Sequence, residues 1–126
     1  MKRLALFLAI AATAHAAPPE SFWRALHLVE TSGRHGAILG DNGRSLGPLQ
    51  ISRAYFADSR VGGIYEQVVD LGFARKVVTA YLKRYAPQAW AAGDVVTLAR
   101  IHNGGVNGAK KTATIKYGEK VARLCK

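Results

Sequence analysis

Apolar residues recur at helical spacing along most of the chain. Phe22, Leu26 and Val29 fall on one stripe and predict a first helix, with Ser21 as its N-cap and Ser32-Gly33 stopping it after Glu30 or Thr31. The pattern then breaks: Gly33, Gly36, Gly40, Gly43, Gly47 and Pro48 exclude a helix and favour turns and short strands. Asp41-Asn42-Gly43 is a turn signal, so a small hairpin is expected between Ala37 and Ile51. Ser52 is placed to cap a short helix containing Ala54, Tyr55 and Phe56, which Gly62-Gly63 breaks. Ile64, Val68, Leu71, Val78, Leu82 and Tyr85 predict one longer helix ended by Pro87. Asp94 caps a further helix carrying Val95, Leu98 and Ile101, and Gly104-Gly105 ends it. A last helical stretch puts Tyr117, Val121 and Leu124 on one face. The expected fold is α+β: mostly helical, with a small Gly-rich β-hairpin inserted after the first helix.

Residues 1–16 follow another pattern. Lys2 and Arg3 precede an apolar run from Leu4 to Ala12, and Ala14-His15-Ala16 is an A-x-A-like site. This reads as a secretory signal peptide cleaved before Ala17, leaving one domain over 17–126. The apolar run is short for a membrane span, so no stable membrane insertion is expected after cleavage. Export, periplasmic or to the medium, changes how the charge is read. The chain has 126 residues, with 18 Lys+Arg against 8 Asp+Glu and a formal net charge of +10. Nucleic acid, anionic membrane and bacterial cell wall all suit such a charge, and export disfavours nucleic acid. The single cysteine, Cys125, excludes an internal disulfide framework and a Cys-based zinc site.

The few acids can be weighed singly. Glu20, Glu66, Asp70 and Glu119 lie among polar or charged neighbours and read as solvated charges, Asp94 as a cap, and Asp58 lies near a helix end. Glu30 closes an otherwise apolar helix, and Asp41 sits in the Gly-rich hairpin. Across a groove, two such carboxyls suit a glycoside hydrolase, with one as acid and the other as nucleophile or base. A turn aspartate and a solvated helix-terminal glutamate are the competing readings. His27 and Glu30 share a helix face, but no further ligand is evident, so no metal or other cofactor is expected.

The wording of three segments goes further. Glu30-Thr31-Ser32-Gly33, Gly47-Pro48-Leu49-Gln50-Ile51 and Ala99-Arg100-Ile101-His102-Asn103-Gly104-Gly105 occur in that order and together resemble the lysozyme superfamily. The extended segments Gly47 to Tyr55, Tyr81-Leu82-Lys83-Arg84-Tyr85 and Ala99 to Gly108 are similar to the invertebrate-type (destabilase-like) lysozymes. The resemblance runs from about Phe22 to Cys125. It implies a lysozyme-like fold and cleavage of the β-1,4 bond between N-acetylmuramic acid and N-acetylglucosamine in peptidoglycan. It also implies Glu30 as general acid and, more loosely, Asp41 as nucleophile or electrostatic stabiliser. The animal proteins carry many disulfides, whereas this chain resembles a disulfide-free, bacterial branch.

Other positions keep two readings each. Gln50 contacts substrate or holds the hairpin. Ser52 touches the second carboxylate or caps a helix. Tyr55 stacks on a sugar or fills the core. His102 and Asn103 bond N-acetyl groups, or His102 is a helix C-terminal histidine favoured by the dipole. Two rivals to the hydrolase stand beside it. A lytic transglycosylase would use Glu30 alone, and a non-catalytic wall-binding module would grip glycan strands without turnover. The partner expected in every case is peptidoglycan glycan, bound by a monomer.

Overall fold

The computed structural model describes residues 18–126, so the expected signal segment and its cleavage point lie outside the described residues. Helix α1 spans Glu20–Thr31. Pro19 precedes it as N-cap without a side-chain bond, and Ser21, expected as the cap, lies inside the first turn. Proline there presets an extended entry, so the first turn forms without a capping oxygen. At the other end Ser32 turns left-handed (φ +56°). The amides of Ser32 and Gly33 then reach back to the carbonyls of Leu28 and His27 and close the helix.

The Gly-rich stretch forms a three-stranded antiparallel sheet of two-residue strands: β1 Leu39–Gly40, β2 Ser45–Leu46 and β3 Ile51–Ser52. Leu39 pairs with Leu46, and Leu46 with Ile51. The first turn runs through Asp41, Asn42 and Gly43, all at positive φ. The second turn contains Gly47 at φ +84°, where an added Cβ would lie 2.2 Å from the Val68 carbonyl oxygen. Only glycine fits there.

Ser52 caps α2 (Arg53–Ser59) by accepting from the Tyr55 amide at 3.1 Å. The long helix expected from Ile64 to Tyr85 is two elements: a 3-10 segment, Tyr65–Val69, and helix α3, Leu71–Tyr85. Asp70 makes the break, because its carboxylate accepts from the Phe73 amide at 2.8 Å and starts a new helix. Helix α3 ends at Tyr85, two residues before Pro87, as expected. Pro87 also opens α4, Pro87–Ala92, where its missing amide hydrogen leaves no bond unmade. Asp94 caps α5, Val95–Gly104, by accepting from the Thr97 amide, and α6 spans Ile115–Leu124.

Phe22, Ala25 and Leu26 of α1 join Val77, Val78 and Leu82 of α3, Leu98 of α5, Val121 of α6, and Leu49 and Ile51 of the hairpin in one core, each fully buried. Helix α6 packs on both α1 and α5, which brings the chain's end against its first helix. This closure positions the site described next.

Candidate active site

Glu30 sits on the last turn of α1, where the amphipathic stripe meets the hairpin and α6. Thr31 fixes this junction by donating to the Pro48 carbonyl at 2.9 Å, in a buried bond. From α6, the Tyr117 hydroxyl donates to Glu30 Oε1 at 2.5 Å. Glu30 takes part in none of the ion pairs among the described residues. Burial therefore dominates and raises its pKa above the ordinary glutamate value, with the Tyr117 hydrogen bond opposing in part.

Tyr55, on α2, belongs to the same neighbourhood. Burial and then the nearby Tyr81 and Glu30 push its phenol well above the usual value. Its ring stacks on Tyr81 with centroids 3.7 Å apart, so of the two readings for Tyr55 the structure displays packing. Its hydroxyl lies 2.9 Å from His102 Nδ1, and His102 Nε2 lies 3.2 Å from the Leu49 carbonyl. A carbonyl only accepts, so Nε2 carries the hydrogen, and Nδ1 accepts from Tyr55. Burial pushes the His102 pKa down to about 4, with the Leu49 hydrogen bond pulling slightly the other way. His102 is thus a neutral, buried tie between α5 and the return of the hairpin. Its neighbour Asn103 is exposed.

Gln50, at φ +54°, donates from Nε2 to the carbonyls of Ile38 and Gly47 at 3.0 and 2.9 Å. It holds the hairpin shut in this structure. Ser52 both caps α2 and lines a cavity of about 640 Å³ with Leu39, Gly43, Arg44, Leu46, Arg53, Tyr65 and Glu66. Glu30 is not in that cavity's wall. Asp41 stands at the tip of the first hairpin turn, with its side chain 65% exposed and Arg44 3.4 Å away. The structure therefore brings Glu30, Tyr55 and Tyr117 together and places Asp41 in solvent beside its own turn.

The spacing of Tyr117, Val121 and Leu124 places Tyr117 only on an apolar helical face. Nothing in local sequence ties it to a carboxyl 87 residues earlier. Among the described residues no group of three or more His, Cys, Asp or Glu converges as a metal site would require. No described helix is long and apolar enough to cross a membrane.

Comparison with known proteins gives this arrangement a family. The lysozyme of Meretrix lusoria is 34% identical over 82 residues, which cover 64% of this chain and 67% of that protein. The lysozyme of Ostrea edulis is 36% identical over 80 residues, covering 60% of this chain and 58% of that one. The crystal structure of Tapes japonica lysozyme superposes with a TM-score of 0.72 at 29% identity, over 84% of this chain and 89% of that one. Meretrix lusoria lysozyme in complex with Aeromonas hydrophila PliI gives 0.71 at 29% identity, over 86% and 91%. No family model matches the chain. Helices around a small hairpin, with a glutamate closing the first helix, define a lysozyme-like α+β domain, and the chain belongs to the lysozyme superfamily. Its relatives there include the invertebrate-type lysozyme of Ruditapes philippinarum, 34% identical over 82 residues, 64% of this chain and 60% of that one. The match spans only 58% of the length of the Ostrea edulis and Magallana gigas lysozymes.

Proposed function

We propose that this chain is a lysozyme-type glycosidase that cleaves the β-1,4 bond between N-acetylmuramic acid and N-acetylglucosamine, with Glu30 as general acid. The observation that carries the proposal is the partial burial of Glu30 at the end of α1 against Tyr117, which raises its pKa and favours the protonated form the reaction needs. Glu30 delivers its proton to the glycosidic oxygen as the bond to the anomeric carbon breaks, and the leaving sugar departs as an alcohol. Asp41, at the tip of the hairpin turn, serves as nucleophile or stabilises the oxocarbenium-like transition state, and water completes hydrolysis. Asn103 is exposed and is the polar candidate free to meet the glycan, whereas the Ser52 hydroxyl already accepts from the Tyr55 amide. Gln50, Tyr55 and His102 are bonded within the protein and shape the surface behind it. The relatives' names and folds support this reading, as does the strongly basic composition, which suits an anionic wall. Export by way of residues 1–16 belongs to the same proposal.

One observation favours a second reading. Asp41 is exposed, and its described partner is Arg44, not a group of the Glu30 neighbourhood. A lytic transglycosylase needs Glu30 alone, since the muramyl 6-hydroxyl takes the place of water and closes a 1,6-anhydro ring. Digestion of purified peptidoglycan, with mass spectrometry of the muropeptides, separates the readings. Reducing muramyl ends support the hydrolase, and 1,6-anhydro ends the transglycosylase. Binding without any product shows a wall-binding module and overturns both.

A further inference from the structure

We propose that Tyr117 is a positioning residue for Glu30: by donating to Oε1 it reserves Oε2 for the acidic proton and stabilises the carboxylate that forms when this proton leaves. The inference rests on the reading of Glu30 as general acid and goes beyond it by assigning separate work to the two carboxyl oxygens.

The geometry is the starting point. Tyr117 comes from α6 and Glu30 from α1, two helices that pack directly on one another. The hydroxyl–carboxyl distance is 2.5 Å, within the short range of an O–H to carboxylate bond. A carboxyl oxygen that accepts from a phenol is the poorer place for a proton, so the neutral acid carries its hydrogen on Oε2. Packing of α6 on α1 and α5 thus fixes both the rotamer of Glu30 and the oxygen that can donate.

Tyr117 must stay protonated for this to hold, and its surroundings ensure it. Burial first, and then the adjacent Glu30, push its phenol well above the ordinary tyrosine value. During the step the proton passes from Glu30 Oε2 to the glycosidic oxygen, and the electron pair of the breaking C–O bond goes to that oxygen. Glu30 is left as an anion. Tyr117 loses nothing and its hydrogen bond strengthens, so its contribution is larger in the transition state than in the ground state. No other group does this work. Tyr55 faces Glu30 from α2, but its hydroxyl is bonded to His102. His102 on α5 is neutral, and His27 on α1 bonds the Arg34 carbonyl. No lysine or arginine is paired with Glu30 among the described residues.

The test is Tyr117→Phe, which keeps the ring and removes the hydroxyl. Expected are a fall in kcat of roughly ten- to a hundredfold with little change in KM, and an alkaline limb of kcat/KM moved to higher pH. The limb moves up because the lost hydrogen bond favoured the carboxylate. A purely structural role would lower Tm and leave the limb in place; that result, or an unchanged kcat, overturns the proposal. Should Tyr117→Phe fail to fold, a fluorotyrosine placed at position 117 keeps the shape and makes a stronger donor. The limb should then move to lower pH, and no movement overturns the proposal. Titrating the ¹³C-labelled Glu30 carboxyl by NMR reads the same coupling without turnover. If Glu30→Gln is inactive while that titration is identical in Tyr117→Phe and wild type, the acid stands and the Tyr117 assignment falls. If Glu30→Gln stays active, both fall.

Discussion

Glu30 and Asp41 carry the same functional group on one short stretch of chain, and the fold treats them in opposite ways. Glu30 is drawn into the α1–α6 contact, loses solvent, and gains a single neutral donor in Tyr117. Asp41 is held at the tip of a turn by a positive φ, in water, beside an arginine that is itself 71% exposed. Exposed pairs of that kind are worth between nothing and about 1 kcal/mol. Chemical role in this site therefore follows from burial and neighbours, and the residue type alone does not assign it. The fold gives Glu30 the raised pKa that the proposed proton donor requires. It leaves any second carboxylate at the exposed tip of a hairpin built from two-residue strands.

Glu30→Gln attacks the prepared side and should give the largest effect. Removing a general acid is expected to lower the rate by roughly 10²–10⁴-fold. The same change should raise Tm at neutral pH. A carboxyl whose folded pKa lies above its unfolded value of 4.5 contributes full stability below that value and loses it as pH rises through the folded pKa. Wild type and variant should therefore converge in Tm below pH 4.5 and separate above it. Parallel melting curves at pH 4 and pH 7 check this.

Asp41→Asn attacks the exposed side. If Asp41 supplies the second charge, the loss should be roughly a hundred- to a thousandfold, or 3–4 kcal/mol of transition-state stabilisation. A single-glutamate transglycosylase loses far less. Rates on purified wall, read beside the muropeptide products, decide between them.

The ties behind the hairpin give the next effect. The His102 pKa is lowered to about 4 in the fold against 6.5 unfolded. Its contribution is present above pH 6.5 and is lost as pH falls through 4, because the unfolded chain takes up the proton first. The window is worth roughly 3 kcal/mol. His102→Gln should flatten the stability profile between those limits in urea unfolding. Gly47→Ala should cost about 1–3 kcal/mol from backbone strain alone, with the Val68 overlap adding to it. A smaller loss would mean that the 47–51 segment yields more readily than its bonds suggest.

Much of this could be read in the chain because the signals are local. Caps at Ser52 and Asp94, the stop at Ser32-Gly33 and the Asp41-Asn42-Gly43 turn each depend on neighbours within a few residues, and the structure has them in place. The same local reasoning failed where two signals competed. The stripe from Ile64 to Tyr85 conceals the cap at Asp70, and Pro87, which does mark the end of α3, also starts α4, for which the pattern gives no signal. The site was legible only in part. Glu30 stands in a motif, but its partner Tyr117 is supplied by the packing of α6 on α1, which no periodicity encodes. His102 keeps two readings in sequence, a groove residue or a helix C-terminal histidine, while in the fold Leu49 and Tyr55 claim both of its nitrogens.

The central claim is that burial at the end of α1 makes Glu30 an acid. Titration of its carboxyl carbon by NMR in the wild-type protein tests this most directly. The account predicts a single midpoint above 4.5 that coincides with the alkaline limb of kcat/KM. A midpoint at or below 4.5, or an alkaline limb that ignores the titration, would contradict it.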